Sequence, residues 1–249
     1  MSHPHFHSLL QTLLEERNPN LLNDCLLHPD FEAFKLQHHL VINKEELVKA
    51  FIHTSFSHEY QIPHQEQLEF LGDSVLQLIL TDELYKRFPE EKEGRLSKLR
   101  SSVVNEASLA IIGRGLGLDK LIFVGKGEFK RKLFEQDATI ADTVEALLAQ
   151  VYRFQGLEFA RKWFLGLLES YIPMAFEMNA LESFDAKSKL QEATLAKYKK
   201  LPVYTSEPHE NGFEVKLWIN DKLLGSGVFS SKKMGEKELA SQALKQDLI

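Results

Sequence analysis

The chain has 249 residues, 43% of them apolar and 27% charged, which is ordinary globular composition and enough for one sizeable core plus a small second domain. Its apolar runs, such as Val75 to Leu80, break well short of the ~18 residues of a membrane span; no signal peptide is expected, and Cys25, the only cysteine, excludes an internal disulfide or thiolate zinc site and suits a cytoplasmic protein. The net charge of −6 argues at first against a nucleic-acid partner, but residues 184–249 hold 11 Lys and no Arg against 9 acids, a local balance of +2, leaving −8 for residues 1–183. An acidic body with a mildly basic tail suits a protein that holds cations in one part and polyanions in the other.

Residues 1–35 form a leucine-rich N-terminal extension in which Asn18-Pro19-Asn20 is a turn signal between two helical pieces. Its histidines, His3, His5 and His7, are expected in a solvated terminus. Residues 36–172 have apolar positions at 3.6-residue spacing and no alternating run of strand length, so they are expected to be helical almost throughout. Gly113-Arg-Gly-Leu-Gly117 and Gly125-Lys-Gly127 are expected to turn the chain between helices. A linker is expected over 173–183.

From 184 to 249 the pattern changes. Ala186 to Lys200 is predicted to be a helix capped by Asp185. Phe213, Val215, Leu217 and Ile219 alternate with Glu214, Lys216 and Trp218, the signature of a half-buried strand. Asn220-Asp221 offers a tight turn into a strand over Lys222 to Phe229, Pro202 to Ser206 supplies another, and Ser231 to Asp247 closes the segment as a helix. The chain is therefore expected to be mainly α, an all-helical domain followed by a small α+β module in the order α-β-β-β-α.

Glu66, Glu69 and Asp73 are spaced by 3 and 4, so on a helix they share a face only about 60° wide. Leu68, Leu71, Val75 and Leu78 are expected on the opposite face, which makes a solvated acidic side the ordinary explanation. Glu69 and Asp73, however, are a like-charged i,i+4 pair with no Lys or Arg at helical spacing to offset them. Asp142 and Glu145 repeat the pattern, flanked by Ala141, Ala146 and Ala149, which leave room for a neighbouring helix or a ligand. Uncompensated carboxylates from two helices can line an oxygen cage for Mg²⁺, and a water acidified by that ion can attack a phosphodiester in line.

The run His64-Gln-Glu-Gln-Leu-Glu-Phe-Leu-Gly-Asp-Ser-Val-Leu76 resembles the ribonuclease III signature, with the likeness continuing through Glu93-Gly94, Gly125-Lys-Gly-Glu128 and Ala141-Asp-Thr-Val-Glu-Ala146. This resemblance implies an all-helical catalytic domain that works as a homodimer on double-stranded RNA with Mg²⁺, and no nucleotide cofactor. It implies metal ligation by Glu69, Asp142 and Glu145, with Asp73 and Glu145 most needed for chemistry. Glu66 and Glu93 match acidic positions nearer the dimer interface and the RNA, and Phe70 matches a dimer contact. The chain departs from the family after Glu128, where a glycine pair is missing, and at Ala149-Gln150, where Gly or Ala is usual.

The tail resembles a double-stranded-RNA-binding domain in Lys189-Leu-Gln-Glu192, Pro208-His209, Gly225-Ser-Gly227 and Ser230-Ser-Lys-Lys-Met-Gly-Glu236. Gln191, Glu192, His209, Lys232, Lys233 and Lys237 are the expected RNA contacts. Lys232 and Lys233 stand at a helix N-terminus, where the dipole disfavours cations unless a phosphate sits between. Gly235 and Glu236 replace the usual Ala and Lys, so modest affinity is expected from this domain alone. The implied activity is hydrolysis of both strands of duplex RNA to 5′-phosphate and 3′-hydroxyl ends, in ribosomal RNA precursors and structured transcripts. The rivals are a non-catalytic, ribosome-associated RNA-binding protein of the same fold, and a small-molecule phosphohydrolase, which leaves the tail module unexplained.

Overall fold

The computed structural model describes residues 5–16, 18–173, 175–176 and 178–245, without the side chains of 178–185, 188 and 233. His3 and the Lys233 side chain thus lie outside the described residues. The chain forms two compact units, Met1–Ala175 and Phe176–Ile249.

The first unit opens with helices α1 (Phe6–Glu16), α2 (Pro19–Leu26) and α3 (Pro29–Gln37). The Asn18 side chain accepts a hydrogen bond from the Asn20 backbone N–H at 3.0 Å, so the Asn18-Pro19-Asn20 signal is the N-terminal cap of α2. This extension is no solvated arm. Phe6, Leu10, Leu13 and Leu14 are buried, and the Phe6 ring lies 4.7 Å from Phe123 and 5.4 Å from Phe31. Each buried Phe contributes roughly 1.5–3 kcal/mol, more than a polar terminus can offset. His5 is exposed as expected, but His7 is half-buried, its ring 4.4 Å from Phe134 and 5.8 Å from Phe129, and burial lowers its pKa. Phe129 and Phe134 belong to the segment that departs from the family after Glu128. Burial also pushes the Cys25 thiol up to about 12, with Asp24 adding to it, which leaves an unreactive side chain.

Helices α4 (Lys44–Lys49), α5 (Thr54–Tyr60), α6 (Glu66–Arg87), α7 (Glu93–Val103), α8 (Glu106–Gly115) and α9 (Lys126–Lys130) follow, and α10 (Asp137–Tyr171), kinked at Gly156, packs against both α6 and α8. Ala146 and Ala149 are fully buried, and their small side chains admit those neighbours. Leu68 and Val75 are buried as the helical period requires, but Leu78 is 53% exposed and Leu76, Ile79 and Leu80 are buried instead. Gly113 lies inside α8 rather than in a turn: a Cβ there would come within 2.3 Å of Ile140 Cγ2, so the residue serves close helix packing. Gly117, at φ +73°, does turn the chain. Gln150, a departure from the family, is buried and donates its side-chain amide to the Glu46 carbonyl, tying α10 to α4.

The second unit comprises α11 (Met178–Tyr198), an antiparallel sheet of β1 (Val203–His209), β2 (Gly212–Ile219) and β3 (Lys222–Phe229) in that order, and α12 (Lys232–Lys245). Helix α11 begins at Met178, so Asp185 lies within it instead of capping it. Asn220 and Asp221 adopt φ of +49° and +65°, the tight hairpin turn their residue types favour. Val215, Leu217 and Ile219 face Leu190, Leu239, Ala240 and Ala243 in the core. Pro208 and His209 pair with Phe213 and Gly212 as the end of β1. At Gly235 a Cβ would meet Phe229 and Val215 at 2.6 Å, which explains the loss of the usual Ala. Glu236 is ion-paired to Lys187 at 2.6 Å, and the Lys187 ammonium sits 4.9 Å from the Tyr204 ring centroid.

Candidate active site

The acidic site exists because α6 and α10 approach unusually closely. A Cβ on Gly72 would fall 1.9 Å from the Glu145 carbonyl oxygen, so only glycine permits this crossing. The neighbours of that contact point, Asp73 on α6 and Glu145 on α10, are thereby brought together, with Asp142 one turn earlier. Gln65, 2% exposed, fixes the start of α6: its N–H donates to the Ile52 carbonyl at 3.0 Å. The buried Thr143 hydroxyl donates to the Thr139 carbonyl at 2.8 Å and lies 3.4 Å from the Gln65 side-chain oxygen.

Glu69, Asp73, Asp142 and Glu145 repel one another, and among the described residues none of them makes an ion pair. Burial, then Asp73, Asp142 and Glu69, push the Glu145 carboxyl up to about 8. Burial raises Glu69 too, followed by Asp142, Glu66 and Asp73, and burial raises Asp142, followed by Glu106. Among the described residues no three such side chains converge as a finished metal cage. The two observations are compatible, because repulsion acts across several ångströms while ligation requires contact. Asp73, Asp142 and Glu145 stand apart around a recess of about 180 Å³ that Gln77, Asn105 and Glu106 also line, with Glu69 outside its lining. A hard divalent cation fits this donor set: all the donors are oxygens, and it would relieve a repulsion that no ion pair among the described residues offsets.

Glu66 stands at the start of α6 with His64 Nδ1 3.7 Å from its carboxylate. Glu93 is separate: it accepts from the Ser97 hydroxyl at 2.8 Å and lines a different recess, between α6 and α7, with Tyr85 and Arg100. Phe70 is 79% exposed. In the second unit Gln191 and Glu192 are exposed on α11, and exposed His209 accepts at Nδ1 from the Asn211 N–H at 3.3 Å. The Lys232 ammonium lies 5.3 Å from the Phe213 ring centroid, and Lys237 is half-buried on α12. Gln77, Asn105 and Glu106 were not singled out by sequence. Asn105-Glu106 has the form of any capped helix start, and only the packing of α8 on α10 turns it toward the acids.

The raised Glu145 carboxyl has a consequence for stability. With a folded-state value near 8 against an ordinary 4.5, the group favours folding fully below its ordinary value, and that contribution is lost as pH rises to about 8. Solvent screening of a half-buried side chain reduces the effect to about 1 kcal/mol, or roughly 2–4 °C. Metal-free Glu145→Gln protein should therefore melt higher than wild type at pH 8 and equally at pH 4. Thermal melts in EDTA across that range check this, and equal melting at pH 8 would refute it.

A helical scaffold holding an uncompensated acidic recess, joined to an α-β-β-β-α module, defines a class of protein that binds cations in one unit and is built for a polyanion in the other. Comparison with known proteins makes this specific. Residues 43–171 match the family described as Ribonuclease-III-like, and residues 186–246 match the double-stranded RNA binding motif. The protein called Ribonuclease 3 from Pseudothermotoga lettingae is 37% identical over 213 residues, spanning 81% of this chain and 89% of its own. That from Borreliella afzelii is 38% identical over 210 residues, 82% and 85% of the two chains. The solved nuclease domain of ribonuclease III from Campylobacter jejuni, described as flexible in the region involved in dimer formation, superposes with a TM-score of 0.55 at 33% identity. It covers 57% of this chain and 99% of its own. The chain belongs to the ribonuclease III family, and it is an endoribonuclease of metal-dependent type. Among the described residues no helix is long and apolar enough to cross a membrane.

Proposed function

We propose that this ribonuclease hydrolyses both strands of duplex RNA with Mg²⁺ as a homodimer in the cytoplasm, leaving 5′-phosphate and 3′-hydroxyl ends. Its substrates are ribosomal RNA precursors and structured messenger and transfer RNA transcripts. Residues 36–172 form the catalytic domain, 173–183 the linker and 184–249 the RNA-binding domain, with 1–35 an N-terminal extension. The observation that carries the reading is the uncompensated set in which Asp73, Asp142 and Glu145 line one recess and Glu69 acts on Glu145 from beside it.

Glu69, Asp142 and Glu145 hold the ion, and Asp73 and Glu145 serve the chemistry. Bound Mg²⁺ supplies an acidified water and charge stabilisation for in-line displacement at phosphorus. Glu145 would ligate as the carboxylate, and a bound cation would oppose the burial and repulsion that raise its pKa. Glu66, beside this set, and Glu93 both lie toward the dimer interface and the RNA. Gln191, Glu192, His209, Lys232, Lys233 and Lys237 contact the duplex, which a domain of this type reads by shape across minor grooves and intervening phosphates. Lys232 is held over Phe213, and Glu236 is occupied by Lys187, so its charge bears less on the RNA.

Incubation with long double-stranded RNA should give cleavage in Mg²⁺ and none in EDTA. Protein lacking residues 176–249 should still cut at low salt and fail as salt rises, because losing phosphate contacts weakens binding most when the remaining ones are screened. A truncated protein that is folded yet inactive at every salt concentration would place part of the chemistry in the tail.

A further inference from the structure

Glu106 is the first residue of α8, after Asn105, whose side chain accepts from the Ser108 N–H at 3.1 Å. Helix α8 is anchored on α10, where Gly113 meets Ile140 without room for a Cβ. The backbone of Glu106 is therefore fixed against the helix that carries Asp142 and Glu145. Glu106 lines the same recess as they do, and among the described residues it makes no ion pair. An acid in the first turn of a helix is usually explained by the dipole alone. Glu45 in α4 has that ordinary position, after a capping Asn43, and it does not line the acidic recess. Glu106 does, and it acts strongly enough on Asp142 to be the leading charge that raises that carboxyl after burial.

The recess, at about 180 Å³, has room for a cation with several of its waters, each occupying about 30 Å³ in the liquid. Mg²⁺ keeps most of its water shell when protein-bound, and those waters need acceptors. Glu106 is solvent-exposed, so a hydrated cation meets it through water more readily than by direct ligation. We propose that Glu106 is a positioning residue of the cation site, accepting hydrogen bonds from the water shell of the bound ion and tightening its hold from the α8 side. This rests on the reading of Glu69, Asp142 and Glu145 as the ligands, and deepens it by a third helix.

The test is direct cation binding to the full-length, RNA-free protein, with Mg²⁺ followed by calorimetry and Mn²⁺ by electron paramagnetic resonance. Glu106→Gln should weaken binding about tenfold, the lower end for residues that act through a ligand, and cleavage should need correspondingly more Mg²⁺. Glu45→Gln, which removes an equivalent first-turn charge, should bind as wild type does. Asp142→Asn should lose binding more severely. If Glu106→Gln binds like wild type while Asp142→Asn does not, Glu106 has only its helix-start role and the proposal is overturned. If Asp142→Asn also binds like wild type, the assignment of the ligands themselves fails. Equal weakening in Glu45→Gln and Glu106→Gln would reduce the effect to general charge and overturn the proposal as well.

Discussion

Asp73→Asn is expected to lower cleavage of double-stranded RNA by a factor on the order of 10² or more while leaving duplex binding nearly unchanged. Residues acting at one remove from a metal already account for roughly 10–100-fold losses, and Asp73 is proposed to serve the chemistry itself: it lines the recess beside Glu145 and is the leading charge raising the Glu145 carboxyl after burial. Binding is governed by phosphate contacts spread over the protein, to which one carboxylate adds nothing attractive. The substitution carries a second signature. Removing the Asp73 charge should lower the Glu145 pKa, so the acidic limb of the residual pH–rate profile should move to lower pH. Filter binding in EDTA, single-turnover cleavage in Mg²⁺ and the pH profile of the residual rate separate these effects. Equal loss of binding and cleavage would remove Asp73 from the chemistry.

The acidic stripe on α6 was legible because its 3- and 4-residue spacing has one consequence on a helix, and the missing basic neighbours marked it as more than a wet surface. The strand alternation from Phe213 to Ile219 and the turn at Asn220-Asp221 were legible for the same reason, since local pattern there dictates local structure. What depends on the neighbour was not legible. Leu78 has the period of a core residue, but α10 covers the row through Gly72, Val75 and Ile79 and leaves Leu78 exposed. Gly113 has the composition of a turn and the function of a contact. His7 looks like part of a polar terminus until Phe6 beside it is seen filling a space against Phe31 and Phe123. Glu106 carries no sequence mark at all, because a capping Asn followed by Glu is how ordinary helices begin. The carboxylates of α6 and α10 were found separately; that Asp73, Asp142 and Glu145 surround one recess follows from the Gly72 crossing, which two helical patterns cannot reveal.

A mixed dimer of one wild-type and one Glu145→Gln subunit is expected to nick a duplex, cutting one strand and leaving the other intact. Phe70, Leu78 and Tyr85 of α6 are 79%, 53% and 70% exposed, and on a helix they fall within a stripe about 80° wide, turned away from the face covered by α10. Burying a single Phe contributes roughly 1.5–3 kcal/mol, and a two-fold partner would bury this stripe on both copies at once. The solved nuclease domain from Campylobacter jejuni is itself described by its region involved in dimer formation. Each subunit carries its own complete acid set from α6 and α10, so a symmetric pair presents two sites to a substrate with two strands. Inactivating one set by Glu145→Gln removes the carboxylate proposed to ligate the ion but not the fold, since the amide keeps the shape of the side chain. Purifying the mixed species through two different tags, then comparing denaturing with native gels, reads the outcome directly: cut strands on the first and intact duplex on the second. Efficient double-strand cleavage by a verified mixed dimer would refute one site per strand. A Phe70→Ala protein that remains dimeric at low micromolar concentration would show that the exposed stripe on α6 is not what joins the subunits.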